Sequence, residues 1–597
     1  MEKTTVINGK DQRKILFRLL SYTKPHKRTL VLAFSLLLIT TIGDILGPIL
    51  IKTFIDDYLS SRNLAFEPIF ALGAAFIGIQ ILNVIISYFQ LLNFQKVALK
   101  IIQQLRIDVF SKVQSLGLKY FDKTPAGSIV SRVTNDTEAI KDMFVEVLVS
   151  FIQAAFLLIG IFIAMFILNV KLAFFCLFIL PLIFLIMQTY RRFSSIFYQD
   201  LRERLSQLNA KMSESLQGMA IIQVFRQEKR LRKEFGDIND LHYRAGMKNI
   251  KIDGLLLRPA IDLVYVFALI LVLSYFGLTS MNSPIEIGVL YAFISYLDRF
   301  FEPINQMMMR LSMYQQAIVA GSRAFKLLDE TELAPAQRPG GNNRIEKGEI
   351  EFRNVSFSYD NQRDVMKNIS FTAKPGETVA LVGQTGSGKS SIINLMMRFY
   401  EFERGDIWID GQSIKSYSTE ELRKRMGLVL QDPFLFFGSI KDNIRLHNQD
   451  ISDHEIEAAA QFVQAHSFIE KLEDGYNHQV VERGSTFSSG QRQLLAFART
   501  IAANPKILVL DEATANIDTE TEEAIQIALS KMRKERTTIA IAHRLSTIQD
   551  AELILVLHQG EIVERGNHQE LLAKRGLYHK MYLLQNSSGE IVEDVVG

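Results

Sequence analysis

The fold of the C-terminal half is decided by one octapeptide, Gly383-Gln384-Thr385-Gly386-Ser387-Gly388-Lys389-Ser390. It follows the apolar run 378–382 and precedes a segment that begins with Ser391, which predicts a strand, a glycine-rich loop and a helix in that order. Glycines let backbone N–H groups close around phosphate oxygens, and the helix N-terminus adds positive partial charge. In such a loop Lys389 reaches the β- and γ-phosphates, and the Ser390 hydroxyl is a ligand for Mg²⁺. The octapeptide therefore predicts a nucleoside triphosphate site.

Two adjacent acids form a second candidate element of this site. Asp511 and Glu512 follow four consecutive apolar residues, which predict a strand buried on both faces. Ligands bind at the carboxyl ends of parallel strands, so we expect Asp511 to hold Mg²⁺, directly or through water. Glu512 is expected to orient and deprotonate the attacking water. The alternative is that Asp511 simply caps a helix, but the phosphate loop in the same chain favours the catalytic interpretation.

Composition divides the chain into two halves. At 597 residues it is too long for one core, and its long apolar segments all lie before about residue 310. The lone Cys176 lies in an apolar run, so the chain can form no internal disulfide and no cysteine-based metal site. The net charge is only +3 and the basic residues form no stripe, so no nucleic-acid partner is expected.

The first half contains apolar segments long enough to cross a membrane, which takes about 20 residues. Six segments qualify, at approximately 29–51, 66–92, 143–168, 172–190, 255–279 and 284–308. Residues 169–171 alone separate the third and fourth, which predicts a tight hairpin. The first segment is too long for a signal-peptide core, so no cleavable signal is expected.

Basic residues indicate the orientation. They are concentrated in the N-terminal segment and in the long segments between spans two and three and between spans four and five. The positive-inside rule therefore puts the N-terminus, both long segments and the C-terminal half in the cytoplasm. We expect an all-α membrane domain fused to an α/β phosphate-loop domain, with helices that extend beyond the bilayer. The expected boundaries are 1–325 for the transmembrane domain, 326–344 for a linker, 345–590 for the nucleotide-binding domain and 591–597 for a tail.

These motifs together resemble the ATP-binding cassette (ABC) transporters. Residues 345–590 resemble their nucleotide-binding domain, and with six spans ahead the chain is similar to an exporter half-transporter over nearly its whole length. Three further residues match in the family's order. Tyr359 matches the aromatic residue that stacks on adenine. Gln431 matches the loop residue that touches Mg²⁺, and His543 matches the switch histidine that contacts the γ-phosphate. The resemblance implies an ATPase coupled to transport, with ATP and Mg²⁺ as cofactors.

The family signature, normally read LSGGQ, is altered in this chain. Its position is occupied by Phe487-Ser488-Ser489-Gly490-Gln491, in which Phe487 replaces leucine and Ser489 replaces the first glycine. In the family this segment closes on ATP held by the opposite domain. Residues 515–518, Ala-Asn-Ile-Asp, also depart from the usual pattern. One interpretation is neutral drift at positions that tolerate small residues.

The interpretation we favour is an asymmetric heterodimer. In heterodimeric exporters one chain keeps the catalytic glutamate but has an altered signature, and its partner has the reverse. This chain keeps Glu512, so it resembles the first type, as in drug exporters of Gram-positive bacteria. The resemblance then implies multidrug-type efflux of hydrophobic or amphipathic compounds across the plasma membrane with a second ABC chain. A homodimeric lipid translocase is the alternative.

Further residues bear on coupling and cargo. Segments 120–132 and 217–225 resemble the two coupling segments of exporters, and Pro125 and Gly127 are expected to break the helix in the first. Asp44 and Asp298 are candidates for the substrate path, each of which either lines the pathway or hydrogen-bonds a neighbour. Arg258 and Asp262, at i and i+4, predict a structural ion pair. An acidic and aromatic lining would suit amphipathic organic cations.

Overall fold

A computed structural model describes residues 8–62, 65–281, 286–338, 343–360, 362–446, 448, 450–511, 519–542 and 548–586. The chain divides into two compact units. The membrane unit comprises Met1–Gln114 and Pro125–Glu330, and the ATPase unit comprises Ser115–Thr124 and Thr331–Gly597. A short stretch from the middle of the first half thus belongs to the second unit.

The described residues up to Leu328 are almost entirely helical. Their α-helices are α1 (Gly9–Ser21), α2 (Lys27–Thr53), α3 (Phe66–Ser115), α4 (Leu118–Lys123), α5 (Ala126–Val133), α6 (Asn135–Asp142), α7 (Val149–Leu168), α8 (Val170–Leu177), α9 (Ile179–Gln217), α10 (Met219–Val224), α11 (Glu228–Ile252), α12 (Arg258–Ser280) and α13 (Ile287–Leu328). Three π-helical segments, Phe54–Ser60, Met143–Leu148 and Asp253–Leu257, continue or join these helices.

Five helical stretches of the described residues are long and apolar enough to cross a membrane. They are Lys24–Ser60, Phe66–Ser115, Ala126–Leu168, Val170–Gln217 and Glu228–Thr279, and they contain the first five predicted spans. The sixth predicted span lies mostly in α13, which is helical but more polar because Asp298, Arg299 and Glu302 fall within five consecutive residues. At 50 residues α3 is about 75 Å long at 1.5 Å per residue. It exceeds the roughly 30 Å of bilayer hydrocarbon.

Local sequence explains the breaks between these helices. Asn169 has an extended backbone and its side chain accepts a hydrogen bond from Leu172 N at 3.2 Å, so it ends α7 and caps α8 as the predicted hairpin requires. Thr124 is extended and Pro125 precedes α5. Gly127, however, lies in the first turn of α5, so only Pro125 interrupts the helix and the prediction for Gly127 is wrong.

The ATPase unit contains two main sheets. Its strands are β1 (Ile350–Phe357), β2 (Met366–Ala373), β3 (Thr378–Gly383), β4 (Arg404–Ile409), β5 (Gln412–Ser413), β6 (Met426–Val429), β7 (Gly438–Ser439), β8 (Gln479–Val480), β9 (Ile507–Asp511), β10 (Thr537–Ile541), β11 (Leu553–His558) and β12 (Glu561–Gly566). The antiparallel sheet has the order β2-β1-β4-β5, and the six-stranded sheet has the order β12-β11-β3-β10-β9-β6. In the latter only β12 is antiparallel to its neighbour.

Helices complete this unit. They are α14 (Lys389–Met396), α15 (Thr419–Arg425), α16 (Ile440–Arg445), α17 (Asp453–Phe462), α18 (His466–Ile469), α19 (Ser489–Ala502), α20 (Thr519–Arg533), α21 (His568–Ala573) and α22 (Leu577–Asn586). One apolar cluster joins both sheets to α14 through residues such as Phe352, Val379 and Ile392. A second cluster packs α16, α17 and α19 against β9.

Candidate nucleotide site

The phosphate loop connects β3 to α14, as the sequence predicts. Gly386 and Gly388 have φ angles of +83° and +102°, a backbone conformation that residues with a Cβ rarely adopt. A Cβ on Gly388 would lie 2.9 Å from the carbonyl oxygen of Val365, and one on Gly383 would lie 2.4 Å from that of Leu557. The loop therefore needs these glycines for its path.

Two buried side chains give the loop its chemistry. The Lys389 ammonium donates to the carbonyl oxygens of Gly383 at 2.7 Å and Gln384 at 3.1 Å. Ser387 is 4% exposed, and its buried hydroxyl has no hydrogen-bond partner among the described residues. A buried hydroxyl without a partner costs about 1–3 kcal/mol, so a ligand oxygen in the loop would stabilise it. Thr385 and Ser390 are exposed beside it. These donors fit a polyphosphate.

The strand register brings Asp511 and the carboxyl ends of β3, β6 and β10 to the same edge of the sheet. Ile541 of β10 pairs with Leu381 of β3 on one side and with Asp511 of β9 on the other. Val429 of β6 pairs with Leu510, and Gln431 follows two residues later as an exposed residue. Carboxyl ends of parallel strands form the usual ligand edge of such sheets. Glu512 and His543 follow β9 and β10 in the sequence but lie outside the described residues.

Tyr359 is held next to the phosphate-loop helix. Its hydroxyl hydrogen-bonds Ser391 Oγ at 3.0 Å and accepts from Asn394 Nδ2 at 3.1 Å. The turn that follows is closed by Asp360, whose carboxylate accepts from Gln362 N at 2.9 Å. That bond, followed by those from Arg363 N and the Ser358 hydroxyl, lowers the pKa of Asp360. The tyrosine ring thus has a fixed place beside the loop.

The altered signature forms the start of α19. Ser488 caps this helix by accepting from Gln491 N at 3.2 Å, and the Gln491 side chain accepts from Ser488 N at 3.0 Å. This reciprocal pair is a capping box. Phe487 is buried in the apolar cluster beneath α19, whereas Ser489 is half-buried and Gly490 is buried. The change to phenylalanine is therefore accommodated by core packing. Residues 515–518 lie outside the described residues.

An arginine fixes α19 to α16 and to the loop that follows β6. Arg499 donates to the carbonyl oxygens of Asn443 at 2.8 Å and Phe434 at 2.9 Å. Burial lowers the pKa of the Arg499 guanidinium to about 10. This contact orients the signature helix within its subdomain.

Residues 115–124, which include the start of the first coupling segment, are part of the ATPase unit and bond there to residues to which no sequence motif points. Tyr400, in the loop after α14, is buried and its hydroxyl donates to the carboxylate of Asp122 on α4. Gly117 N donates to Glu332 O at 3.0 Å, and Ala334 N donates to Ser115 O at 3.2 Å. The second predicted segment, 217–225, contains the short helix α10.

The candidate path residues differ in their surroundings. The Asp44 carboxylate accepts from Asn83 Nδ2 at 3.3 Å and lies 4.0 Å from the Arg299 guanidinium. Asp44 thus hydrogen-bonds a neighbour, and its place on the substrate path stays a prediction. Asp298 lines a cavity of about 280 Å³. The predicted pair of Arg258 and Asp262 is not described, because the Arg258 side chain lies outside the described set.

An all-α membrane unit fused to a phosphate-loop unit of this sheet topology defines an ABC transporter half. Two family models match accordingly, the ABC transporter transmembrane region over residues 30–304 and the ABC transporter model over 366–515. The chain belongs to this family. It is therefore a multi-pass membrane ATPase that couples ATP hydrolysis to transport and acts with a second half.

Particular relatives cover almost the whole chain. A Streptococcus pneumoniae protein named as an ABC transporter ATP-binding protein, exp8, is 48% identical over 97% of this chain and 98% of its own length. The multidrug resistance-like ATP-binding protein MdlB of Buchnera aphidicola is 41% identical over 96% and 98%. A bacterial Atm1-family ABC exporter solved with ATP bound is 28% identical over 95% and 99%, with a TM-score of 0.79. The fold is thus that of an ABC exporter.

Proposed function

We propose that this chain is the catalytic-glutamate half of a heterodimeric exporter that extrudes amphipathic organic cations across the plasma membrane. The observation that carries this proposal is the combination of an intact phosphate loop with an altered signature in one chain. The loop offers Lys389 and the Ser387 hydroxyl, which no described residue hydrogen-bonds, to a polyphosphate. Glu512 follows the last strand residue, Asp511, in the sequence. Ser489 stands where the family has glycine.

The signature argument rests on Ser489 rather than on Phe487. Phe487 is buried among core side chains, so its replacement of leucine concerns packing. Ser489 is half-buried in the first turn of α19, next to the capping Ser488. A side chain there changes the surface that would meet ATP on the partner, and a site closed by it would release nucleotide more slowly. The hydrolysing site would combine this chain's loop with the partner's unaltered signature.

In that site each residue has an assigned task. Lys389 and the loop N–H groups would hold the phosphates, and Tyr359 would stack on the adenine. Ser390, Gln431 and Asp511 would hold Mg²⁺, which supplies charge neutralisation for the phosphates when bound. Glu512 would take the proton of the attacking water, and His543 would contact the γ-phosphate.

The cargo assignment rests on the cavity between α7 and α13. Asp298, Glu302 and Gln306 line it from α13, and Ser150 and Gln153 line it from the other side. The cavity also contains Arg299, whose guanidinium donates a hydrogen bond to the backbone oxygen of Asp44 at 3.0 Å. The lining thus carries two carboxylates and one guanidinium, which gives it a net negative charge. A negatively charged cavity of this size suits part of an amphipathic cation. The relative named multidrug resistance-like agrees with such a cargo.

Co-purification tests the proposal. The tagged chain is extracted gently from its native membrane, and its companions are identified by mass spectrometry. We expect one stoichiometric ABC chain with a substituted catalytic glutamate and an unaltered signature. A complex that contains this chain alone and hydrolyses ATP would contradict the heterodimer and favour the symmetric alternative.

A further inference from the structure

Within the ATPase unit, Tyr400 contacts both Tyr359, beside the phosphate loop, and Asp122 of segment 115–124. Its ring is 5% exposed and lies edge-on to Tyr359, with centroids 4.9 Å apart and planes at 87°. It also packs on Phe357, at a centroid distance of 5.9 Å. Its hydroxyl donates to the Asp122 carboxylate. One buried side chain thus joins the ring assigned to adenine to the first coupling segment.

The Tyr359 ring is held from two directions. Ser391 and Asn394 of α14 hydrogen-bond its hydroxyl, while Phe357 and Tyr400 pack against its ring at 4.8 and 4.9 Å. Edge-to-face pairs at these distances contribute beyond the apolar area that they bury. A shift of Tyr400 would therefore move the ring on which adenine is proposed to stack.

The segment that carries Asp122 is itself well anchored. Two backbone hydrogen bonds join it to residues 332–334, and Glu332 lies 3.2 Å from the Lys123 ammonium and 3.7 Å from that of Lys119. A Cβ on Gly117 would lie 2.8 Å from the carbonyl oxygen of Leu333, so the two stretches approach closely. The segment continues directly into α3 and α5 along the chain.

We propose that Tyr400 is a positioning residue that couples the adenine side of the nucleotide site to segment 115–124. Tyr400 holds the ring of Tyr359 in position for adenine, and the hydrogen bond to Asp122 holds Tyr400 in position. Adenine binding and the position of segment 115–124 therefore influence each other by the same free energy. The inference rests on the proposed adenine contact of Tyr359. A Tyr400 that served only as core packing would need its ring but not its hydroxyl.

The test uses nucleotides with and without a base. The purified transporter complex binds trinitrophenyl-ATP without Mg²⁺, so that nothing is hydrolysed, and ATP or tripolyphosphate displaces it. Tyr400→Phe keeps the ring and removes the hydroxyl, and Asp122→Ala removes the acceptor. Tyr417→Phe is the matched control, because that buried hydroxyl donates to Ile409 O at 2.7 Å in the same unit. Asp122→Asn keeps an acceptor oxygen.

We expect Tyr400→Phe and Asp122→Ala each to weaken ATP binding about threefold to tenfold, the range of one hydrogen bond. Tripolyphosphate affinity should stay unchanged, because the effect passes through the adenine ring. The double variant should lose no more than either single one, since both remove the same bond. Tyr417→Phe should leave both affinities unchanged, and Asp122→Asn should restore most of the loss.

Three results would overturn the inference. They are unchanged ATP affinity in both single variants, equal losses for ATP and tripolyphosphate, and losses that add in the double variant. Tyr359→Ala separates this inference from its premise. If that variant leaves the ratio of ATP to tripolyphosphate affinity unchanged, the adenine assignment itself is wrong.

Discussion

Removing the Ser387 hydroxyl should have opposite effects on the stability of the ATPase unit and on its affinity for ATP. Ser387 is 4% exposed, and none of the described residues hydrogen-bonds its buried hydroxyl. Burial of such a group costs about 1–3 kcal/mol, so Ser387→Ala should relieve that cost in the nucleotide-free protein. At about 2–4 °C per kcal/mol for a domain of this size, Tm should rise by at least about 2 °C.

With ATP the sign should reverse. A hydrogen bond to a charged phosphate oxygen contributes about 1.5–3 kcal/mol, so the same variant should bind ATP about tenfold to a hundredfold more weakly. Stabilisation by saturating ATP should shrink accordingly. Calorimetric unfolding of the whole transporter, with and without ATP and without Mg²⁺, measures both quantities on one sample.

Ser391→Ala is the matched control. Ser391 is equally buried, at 5% exposed, but its hydroxyl bonds Tyr359 at 3.0 Å. This variant should therefore lower Tm without nucleotide, by the equivalent of about 1 kcal/mol. If Ser387→Ala destabilises the nucleotide-free protein as Ser391→Ala does, Ser387 already has a partner and the reasoning is refuted.

Three further predictions concern the signature, the chemistry and the cargo. Phe487→Leu should lower the free energy of urea unfolding by less than about 1.5 kcal/mol, because the side-chain volume is nearly kept. Phe487→Ala should lower it by about 3–5 kcal/mol. Equal losses in the two variants would contradict the core position of Phe487. Glu512→Gln should keep ATP binding and remove most turnover in a phosphate-release assay, and near-normal hydrolysis would refute its proposed role. Asp298→Asn together with Glu302→Gln should slow ATP-driven ethidium transport in vesicles, while basal ATPase activity stays unchanged. Unaltered transport would contradict the proposal that the cavity binds cations.

The phosphate loop and its strands could be predicted from sequence because local chemistry determines them. A short all-apolar run with a glycine loop or paired acids directly after it favours a strand covered on both faces, and the structure has β3 at Thr378–Gly383 and β9 at Ile507–Asp511. The first five spans can likewise be predicted from the length and hydropathy of their segments. The sixth was harder, because three charged residues interrupt its apolar pattern and only its helical character is evident in the structure.

The contacts between distant stretches could not be predicted. Tyr400 lies 278 residues beyond Asp122, and no periodicity or motif joins them. The predicted break at Gly127 is absent because glycine is permissive rather than disruptive in a first helical turn, whereas Pro125 lacks the N–H that a continuous helix needs. The surroundings of Asp44 likewise depend on Asn83 and Arg299, which come from different helices.

The composite origin of the ATPase unit has a consequence for biogenesis. Residues 115–124 leave the ribosome more than 200 residues before Thr331, the first residue of the stretch to which they bind. At about 5–20 residues per second this interval lasts at least about 10–40 s. During it Leu116 and Tyr120, both buried in the finished protein, lack the later stretch of the unit to which they belong. Nascent chains stalled before residue 331 should therefore be recognised by chaperones at this segment, and chains released after the sheet is complete should not.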